Sequence, residues 1–206
     1  MIKLEYFENV RDNTPRPLTI EILRQLIRSP WTRTCVEKFR STGDDQWKRK
    51  LPGITWQATY PGGVRANVGA QCTGLFMLDV DHISQCHPLP GIREALNPPL
   101  QMYRETIAPR IDELNIVCVH GTASGDGIHV IACAREGLAT IHENQQWLAA
   151  QLGTPFDTAC NDLARVGLIS VPEDFFYLDR ETLFDDNVND NPNPNPNEGN
   201  GDDKGH

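Results

Sequence analysis

The chain has 206 residues, with 28 acidic against 19 Lys and Arg side chains and a formal charge of −9 at pH 7, which excludes a protein that is basic throughout. No apolar run approaches the ~18 residues of a membrane-spanning helix, so no membrane partner is expected. Six cysteines, at positions 35, 72, 86, 118, 133 and 160, form no C-x-x-C pair, which speaks against a disulfide framework and for buried thiols in a reducing cytoplasm.

The charge is distributed unevenly. Residues 1–65 hold 12 Lys and Arg against 7 Asp and Glu, whereas residues 66–184 hold 6 against 15. From Asp185 onward the chain is acidic, rich in Asn, Pro and Gly and nearly free of apolar side chains, so it cannot offset its ordering entropy. The expectation is one folded unit over 1–184, made of a basic helical part, 1–50, and a core, 51–184, followed by a disordered tail, 185–206. No signal peptide opens the sequence, which points to a cytoplasmic location.

In chain order, Leu18 to Arg28 places Ile20, Leu23, Leu26 and Ile27 at helical spacing, with Pro30 just beyond. A second helix is expected over Thr34 to Arg40. A third, Asp44 to Leu51, carries Trp47 and the triplet Lys48-Arg49-Lys50. That triplet is either a solvated face or, with its aromatic neighbour, a patch that tracks phosphates. Ile54 to Tyr60 reads as a strand, and Pro61-Gly62-Gly63 as a hairpin turn toward Val64-Arg65.

The centre of the sequence is Gly74-Leu75-Phe76-Met77-Leu78-Asp79-Val80-Asp81-His82. Four apolar residues predict a buried strand, and its end carries two carboxylates two residues apart. In extended backbone these project to one face while Val80 faces the other. Paired carboxylates repel unless a cation lies between them, so Asp79 and Asp81 form a platform for Mg²⁺ or Mn²⁺. His82, Cys86 and His87 add three zinc-ligand types, but a structural zinc site takes four. A proline-rich loop follows, then a helix over Leu100 to Leu114 that Pro109 can kink.

Asn115 to His120 and Ile128 to Ala134 predict two more buried strands, joined by Gly121-Thr122-Ala123-Ser124-Gly125-Asp126-Gly127. Small residues around Ser124 allow close approach to a ligand, and exposed amides in such a turn can cradle phosphate. His129 opens the second strand beside the same edge. A helix over Gly137 to Leu152 precedes Phe156-Asp157, then Asp162 and Arg165 lead into a strand, Val166 to Val171. Asp157 offers a third carboxylate and Arg165 a permanent charge for phosphate. Phe175 to Leu178 is a last short strand. The residues alone support an α+β fold with several β-hairpins.

Each segment alone has a plain structural reading, but their order matches one chemistry. Asp79-Val80-Asp81, Ser124 with His129, and Phe156-Asp157 with Arg165 resemble the three motifs of the archaeo-eukaryotic primase superfamily, the primase-polymerases. Leu51-Pro52-Gly53-Ile54-Thr55-Trp56 and Arg65 resemble its bacterial mobile-element and phage branch, catalogued with a VirE-like N-terminal domain. The resemblance spans Leu51 to Leu178.

It implies a core of mixed or antiparallel sheet with an RNA-recognition-like half and flanking helices. It also implies a two-metal nucleotidyltransferase, a DNA primase or polymerase, working in replication of a mobile element or phage. Asp79, Asp81 and Asp157 would be catalytic and bind two Mg²⁺ or Mn²⁺ ions, with Asp162 an alternative third ligand. Ser124, His129 and Arg165 would hold a nucleoside triphosphate. The other implied partners are a single-stranded DNA template and a helicase or other replication protein. Four residues separate Ser124 from His129 where many members have one, which leaves Ser124 in the turn or on the triphosphate. A chain this short also fits a non-catalytic nucleic-acid-binding or adaptor module that keeps the same fold.

Overall fold

In the computed structural model, residues 2–158 and 161–184 are described. The expected tail, 185–206, and Cys160 lie outside them.

The chain opens with a hairpin of β1 (Glu5–Phe7) and β2 (Arg16–Pro17). The segment before Ile20 thus adds a short hairpin to the part expected to be helical, 1–50. α1 (Ile20–Arg28) starts where the Thr19 hydroxyl accepts the Ile22 N–H, and buries Ile20 and Leu23. Ser29 closes α1 and caps α2 (Pro30–Thr42), whose first position is a proline and whose end is Gly43 at φ 68°. Asp44 caps the short α3 (Asp45–Lys48).

The expected strand over Ile54 to Tyr60 is broken into β3 (Gly53–Thr55) and β4 (Ala58–Thr59). β4 pairs with β5 (Gln71–Cys72), so the hairpin partner lies beyond Val64-Arg65, and Val64 is exposed. β6 (Leu75–Val80) is the central strand anticipated from the apolar run. The loop after it contains two short helices, α4 (Ile83–Cys86) and α5 (Pro90–Arg93). The expected long helix begins as α6 (Pro98–Met102), then becomes π-helical over Tyr103–Ile107 and 3₁₀ over Ala108–Arg110. Pro109 lacks an N–H and its ring crowds the carbonyl a turn earlier, so regular α-helix cannot run through it.

β7 (Ile116–Gly121) and β8 (Ile128–Cys133) follow, then α7 (Ile141–Leu152). α7 starts later than Gly137 because Thr140 and Glu143 form a reciprocal capping box. The strand expected over Val166 to Val171 is reduced to β9 (Gly167–Leu168). β10 (Phe175–Leu178) and α8 (Arg180–Leu183) complete the described chain.

Two antiparallel four-stranded sheets result, ordered β2-β1-β3-β9 and β10-β7-β8-β6. Strand periodicity gives the second sheet two apolar faces. Phe76, Leu78, Val80, Ile128 and Val130 pack beneath the helical layer that includes Met102, Ile107, Leu148 and Leu152. Leu75, Met77 and Ile131 pack instead with Ile54, Trp56 and Leu23 on the side of the first sheet. Asp79 follows the alternation of Leu75 and Met77, which directs it between the sheets.

β6 is an edge strand, and two of its outer carbonyls are satisfied from elsewhere. Gln145 on α7 donates to the Met77 carbonyl at 2.9 Å and the Asp157 N–H to that of Asp79 at 3.1 Å. Among the described residues no helix is long and apolar enough to cross a membrane.

Cys35 and Cys118 are buried, as expected, but Cys72 and Cys86 are exposed. Cys72 sits on the short outlying β5 and Cys86 at the end of α4, where no layer covers them.

Candidate functional site

A cleft of about 510 Å³ opens where the two sheets meet α3. Asp79 and Asp81 reach it from the end of β6, and His129 from β8. Asp79 and His129 are register partners, so the pairing of β6 with β8 sets Asp79 Oδ1 3.4 Å from His129 Nε2. Both side chains are buried. Asp81 lies at the exposed mouth of the strand, yet one carboxylate oxygen is pressed against the β7–β8 turn. A methyl group on Gly127 would stand 2.8 Å from that oxygen, 2.8 Å from the Thr122 hydroxyl and 3.0 Å from the Val80 carbonyl. Only glycine fits there, so the turn seats directly on the acidic pair. Burial first, and the neighbouring charge of Asp79 second, push the Asp81 carboxyl above its ordinary pKa.

The turn is fixed from both sides. The Asp126 carboxylate accepts the Ser84 N–H and hydroxyl, both at 2.7 Å, and the Asp126 carbonyl accepts the Ile83 N–H. This anchors the turn to the chain leaving β6, at His82, which adopts a left-handed φ of 55°. On the far side Arg40 of α2 donates to the Ala123 carbonyl at 3.1 Å and pairs with Asp174 at 2.7 Å.

Ser124 is not on the cleft lining. It is exposed in a separate hollow beside Arg40, and its hydroxyl is 2.8 Å from that of Thr122. Thr122 is the hydroxyl that lines the cleft. Sequence reasoning passed over it because threonine in a glycine-bearing turn carries no distinguishing signal.

Arg165 enters from the segment before β9. Its guanidinium lies 4.0 Å from Asp79 and 3.8 Å from Asp157, so it bridges two of the three expected carboxylates. Asp157 is held to β6 by its main chain, whereas Asp162 lines the cleft itself.

Gln57, buried beneath this segment, donates to the carbonyls of Asp162 at 3.1 Å and Arg165 at 2.9 Å. Tyr60 donates to the Leu163 carbonyl at 2.7 Å and Asn67 accepts the Ala164 N–H at 2.9 Å. These three residues position Arg165. A polar glutamine inside the apolar run Ile54 to Tyr60 was the available signal for Gln57.

Lys48, Arg49 and Arg65 line the same cleft. The basic triplet is thus divided, with Lys48 and Arg49 on the cleft and Lys50 beyond it. Behind His129 stands His120, fully buried, with ring centroids 4.8 Å apart at an edge-to-face angle of 85°. Burial first, then the neighbouring imidazole, push the His120 pKa down to about 3.

Among the described residues no three His, Cys, Asp or Glu side chains stand together as a ready metal-holding group. His87 accepts the Leu89 N–H at its Nδ1 and is buried away from solvent.

Fold and site together define an α+β protein with a cleft between its antiparallel sheets that is lined by both carboxylates and cations. The family model for the BT4734-like, N-terminal domain matches residues 46–177. The chain belongs to that family. The matched stretch runs from α3 into β10 and holds the expected site residues. No curated protein and no solved structure matches the chain.

Proposed function

We propose that this chain is a metal-dependent nucleotidyltransferase of the primase-polymerase superfamily. It would add nucleotides on a single-stranded DNA template during replication of a mobile element or phage, with a helicase or other replication protein as partner. The observation that carries this reading is the shared cleft, which Asp79, Asp81 and His129 line together with Lys48, Arg49 and Arg165. In this reading the second sheet, helix-covered on one face, is the RNA-recognition-like half of the core.

The donor set suits Mg²⁺ or Mn²⁺. Asp79 and Asp81 supply hard carboxylate oxygens, and the Asp81 pKa is raised first by burial and second by the charge of Asp79, a repulsion that a divalent ion would relieve. Asp157 is the preferred third carboxylate, with Asp162 next along the cleft. Two such ions, when bound, lower the pKa of an attacking 3′-hydroxyl and neutralise the leaving pyrophosphate.

The rest is positioning by the protein. Arg165 pairs with a triphosphate oxygen in place of its present carboxylate partners, and His129 donates from a ring held by the β6–β8 register. Thr122 and Ser124 present linked hydroxyls at the turn. Lys48, Arg49 and Arg65 draw the polyanion into the cleft.

The test is Mn²⁺- or Mg²⁺-dependent primer synthesis and extension on single-stranded DNA, with ribo- and deoxynucleotides in parallel. Activity that survives Asp79→Ala combined with Asp81→Ala overturns the proposal.

One observation favours a second reading, a non-catalytic nucleic-acid-binding or adaptor module. Arg165 lies at ion-pair distance from both Asp79 and Asp157, an arrangement that neutralises carboxylates without any ion. Strand binding with no measurable affinity for nucleoside triphosphate, by calorimetry with Mn²⁺ present, selects it.

A further inference from the structure

A second, larger hollow of about 850 Å³ lies between the α1–α2 elbow and α3. One indole, that of Trp31, lines it. Trp31, in the first turn of α2, is 51% exposed and stands 6.5 Å from Trp47, centroid to centroid. The Lys50 ammonium lies over both rings, 4.2 Å from the Trp47 centroid and 5.9 Å from that of Trp31. Arg11 and Arg49 complete a cationic rim.

Acids also border this groove, but two of the three are engaged. Glu8 pairs with Arg16 at 3.3 Å, and Asp44 caps α3 by accepting the Gln46 N–H at 2.9 Å. Among the described residues no carboxylate lies at ion-pair distance from Arg11, Arg49 or Lys50. The groove therefore presents cations that form no close ion pair, although the Asp44 carboxylate feels the charges of Lys50 and Arg49, beside a large exposed aromatic face. Arg49 and Asp45 line both this groove and the cleft holding Asp79 and Asp81, so the two hollows adjoin.

We propose that this groove binds single-stranded nucleic acid, with Trp31 stacking on a base and Lys50, Arg49 and Arg11 meeting its phosphates. An exposed indole serves any base, because every base has a π-face, and the cations follow the backbone. A duplex keeps its bases stacked inside and offers Trp31 nothing. Trp31 and Arg11 lie outside the part of the chain matched by the family model, whereas Trp47, Arg49 and Lys50 lie within it. That the bound strand continues into the cleft as template rests on the nucleotidyltransferase reading; the binding does not.

The experiment measures fluorescence anisotropy of a labelled oligothymidylate of about 20 nucleotides, without metal or nucleotide, beside a duplex of equal length. Trp31→Ala is expected to weaken single-strand binding roughly tenfold and leave duplex binding unchanged, while Trp31→Phe retains most of the affinity. Lys50→Ala is expected to weaken binding and flatten its salt dependence. Trp31 is half-exposed, and an unchanged melting temperature confirms that the variants fold.

Single-strand affinity equal to wild type in Trp31→Ala overturns the proposal. Trp31-dependent binding without nucleotide incorporation would sink the catalytic reading alone. Incorporation with Trp31-independent binding would sink the groove alone.

Discussion

The main-chain N–H of Asp157 donates to the carbonyl of Asp79 at 3.1 Å. The third acidic segment is thereby attached to the edge of β6 by backbone, whatever its side chain does. Arg165, 3.8 Å from the Asp157 carboxylate and 4.0 Å from that of Asp79, closes the same arrangement through side chains. The site is therefore a junction of two segments distant in sequence, and each half can be perturbed separately.

Mn²⁺ is expected to raise the melting temperature of the wild-type protein, by an amount equivalent to about 2.7 kcal/mol at a hundredfold excess over its dissociation constant. In Asp79→Asn combined with Asp81→Asn the shift is expected to vanish. Differential scanning calorimetry with and without Mn²⁺ reads this without any assay of activity, and an undiminished shift in the double variant would place the ion elsewhere.

Asp81 alone predicts a pH dependence. Its pKa in the folded protein is raised, so the fold holds this proton more tightly than the unfolded chain does. Its ionisation opposes folding once pH rises above the folded value, and this opposition is absent below the ordinary value of 3.8. Without divalent cation, Asp81→Asn is expected to be more stable than wild type at neutral pH, with the gap closing toward acid. Denaturant titrations across that range measure it, and a gap that widens on acidification contradicts the assignment.

Gly127→Ala places a methyl group 2.8 Å from both an Asp81 oxygen and the Thr122 hydroxyl and 3.0 Å from the Val80 carbonyl, so these groups must shift. The expected cost is about 1–3 kcal/mol of stability, with displacement of Asp81 and loss of Mn²⁺ binding. Gly125→Ala is expected to leave Mn²⁺ binding intact, because a methyl group there meets the Arg40 guanidinium and no residue of the cleft.

Arg165→Lys removes the planar fork while keeping the charge, and is expected to lower triphosphate affinity roughly tenfold, nearly as far as Arg165→Ala. Gln57→Leu leaves the part-buried carbonyls of Asp162 and Arg165 without their donor. It is expected to cost about 1–3 kcal/mol of stability and to weaken triphosphate binding through misplacement of Arg165. Isothermal calorimetry and thermal melting together separate the two effects.

His120 predicts acid lability. Its pKa is lowered to about 3 from an ordinary 6.5, so below 6.5 the unfolded chain takes up a proton that the fold refuses. Stability is expected to fall by up to about 1.4 kcal/mol per pH unit as pH drops from the ordinary value toward the folded one. His120→Phe, which keeps a ring stacked on Phe175 4.8 Å away, is expected to flatten that slope. Equal slopes in the two proteins would show that another group carries the acid response.

Much of this site was readable from local chemistry. Strand periodicity is a property of consecutive residues, so Leu75 to Asp81 announces a buried strand, its alternating faces and a pair of carboxylates at its end. The strands around the 121–127 turn and the helix before Gly153 were legible for the same reason. Helix limits were less so where a cap or proline intervened, as at Thr140 and Pro109.

By itself, then, the sequence determined the acidic pair, the presence of a glycine turn and the uneven charge. Only the tertiary structure decided that Gly127 seats this turn on Asp81, that Thr122 rather than Ser124 lines the cleft, and that Lys48 and Lys50 serve different hollows. The reason is physical. Which groups lie side by side along one strand follows from backbone geometry, but which segments meet depends on hydrogen bonds such as those of Gln57 and Asp157, made across long loops whose closure no local pattern records.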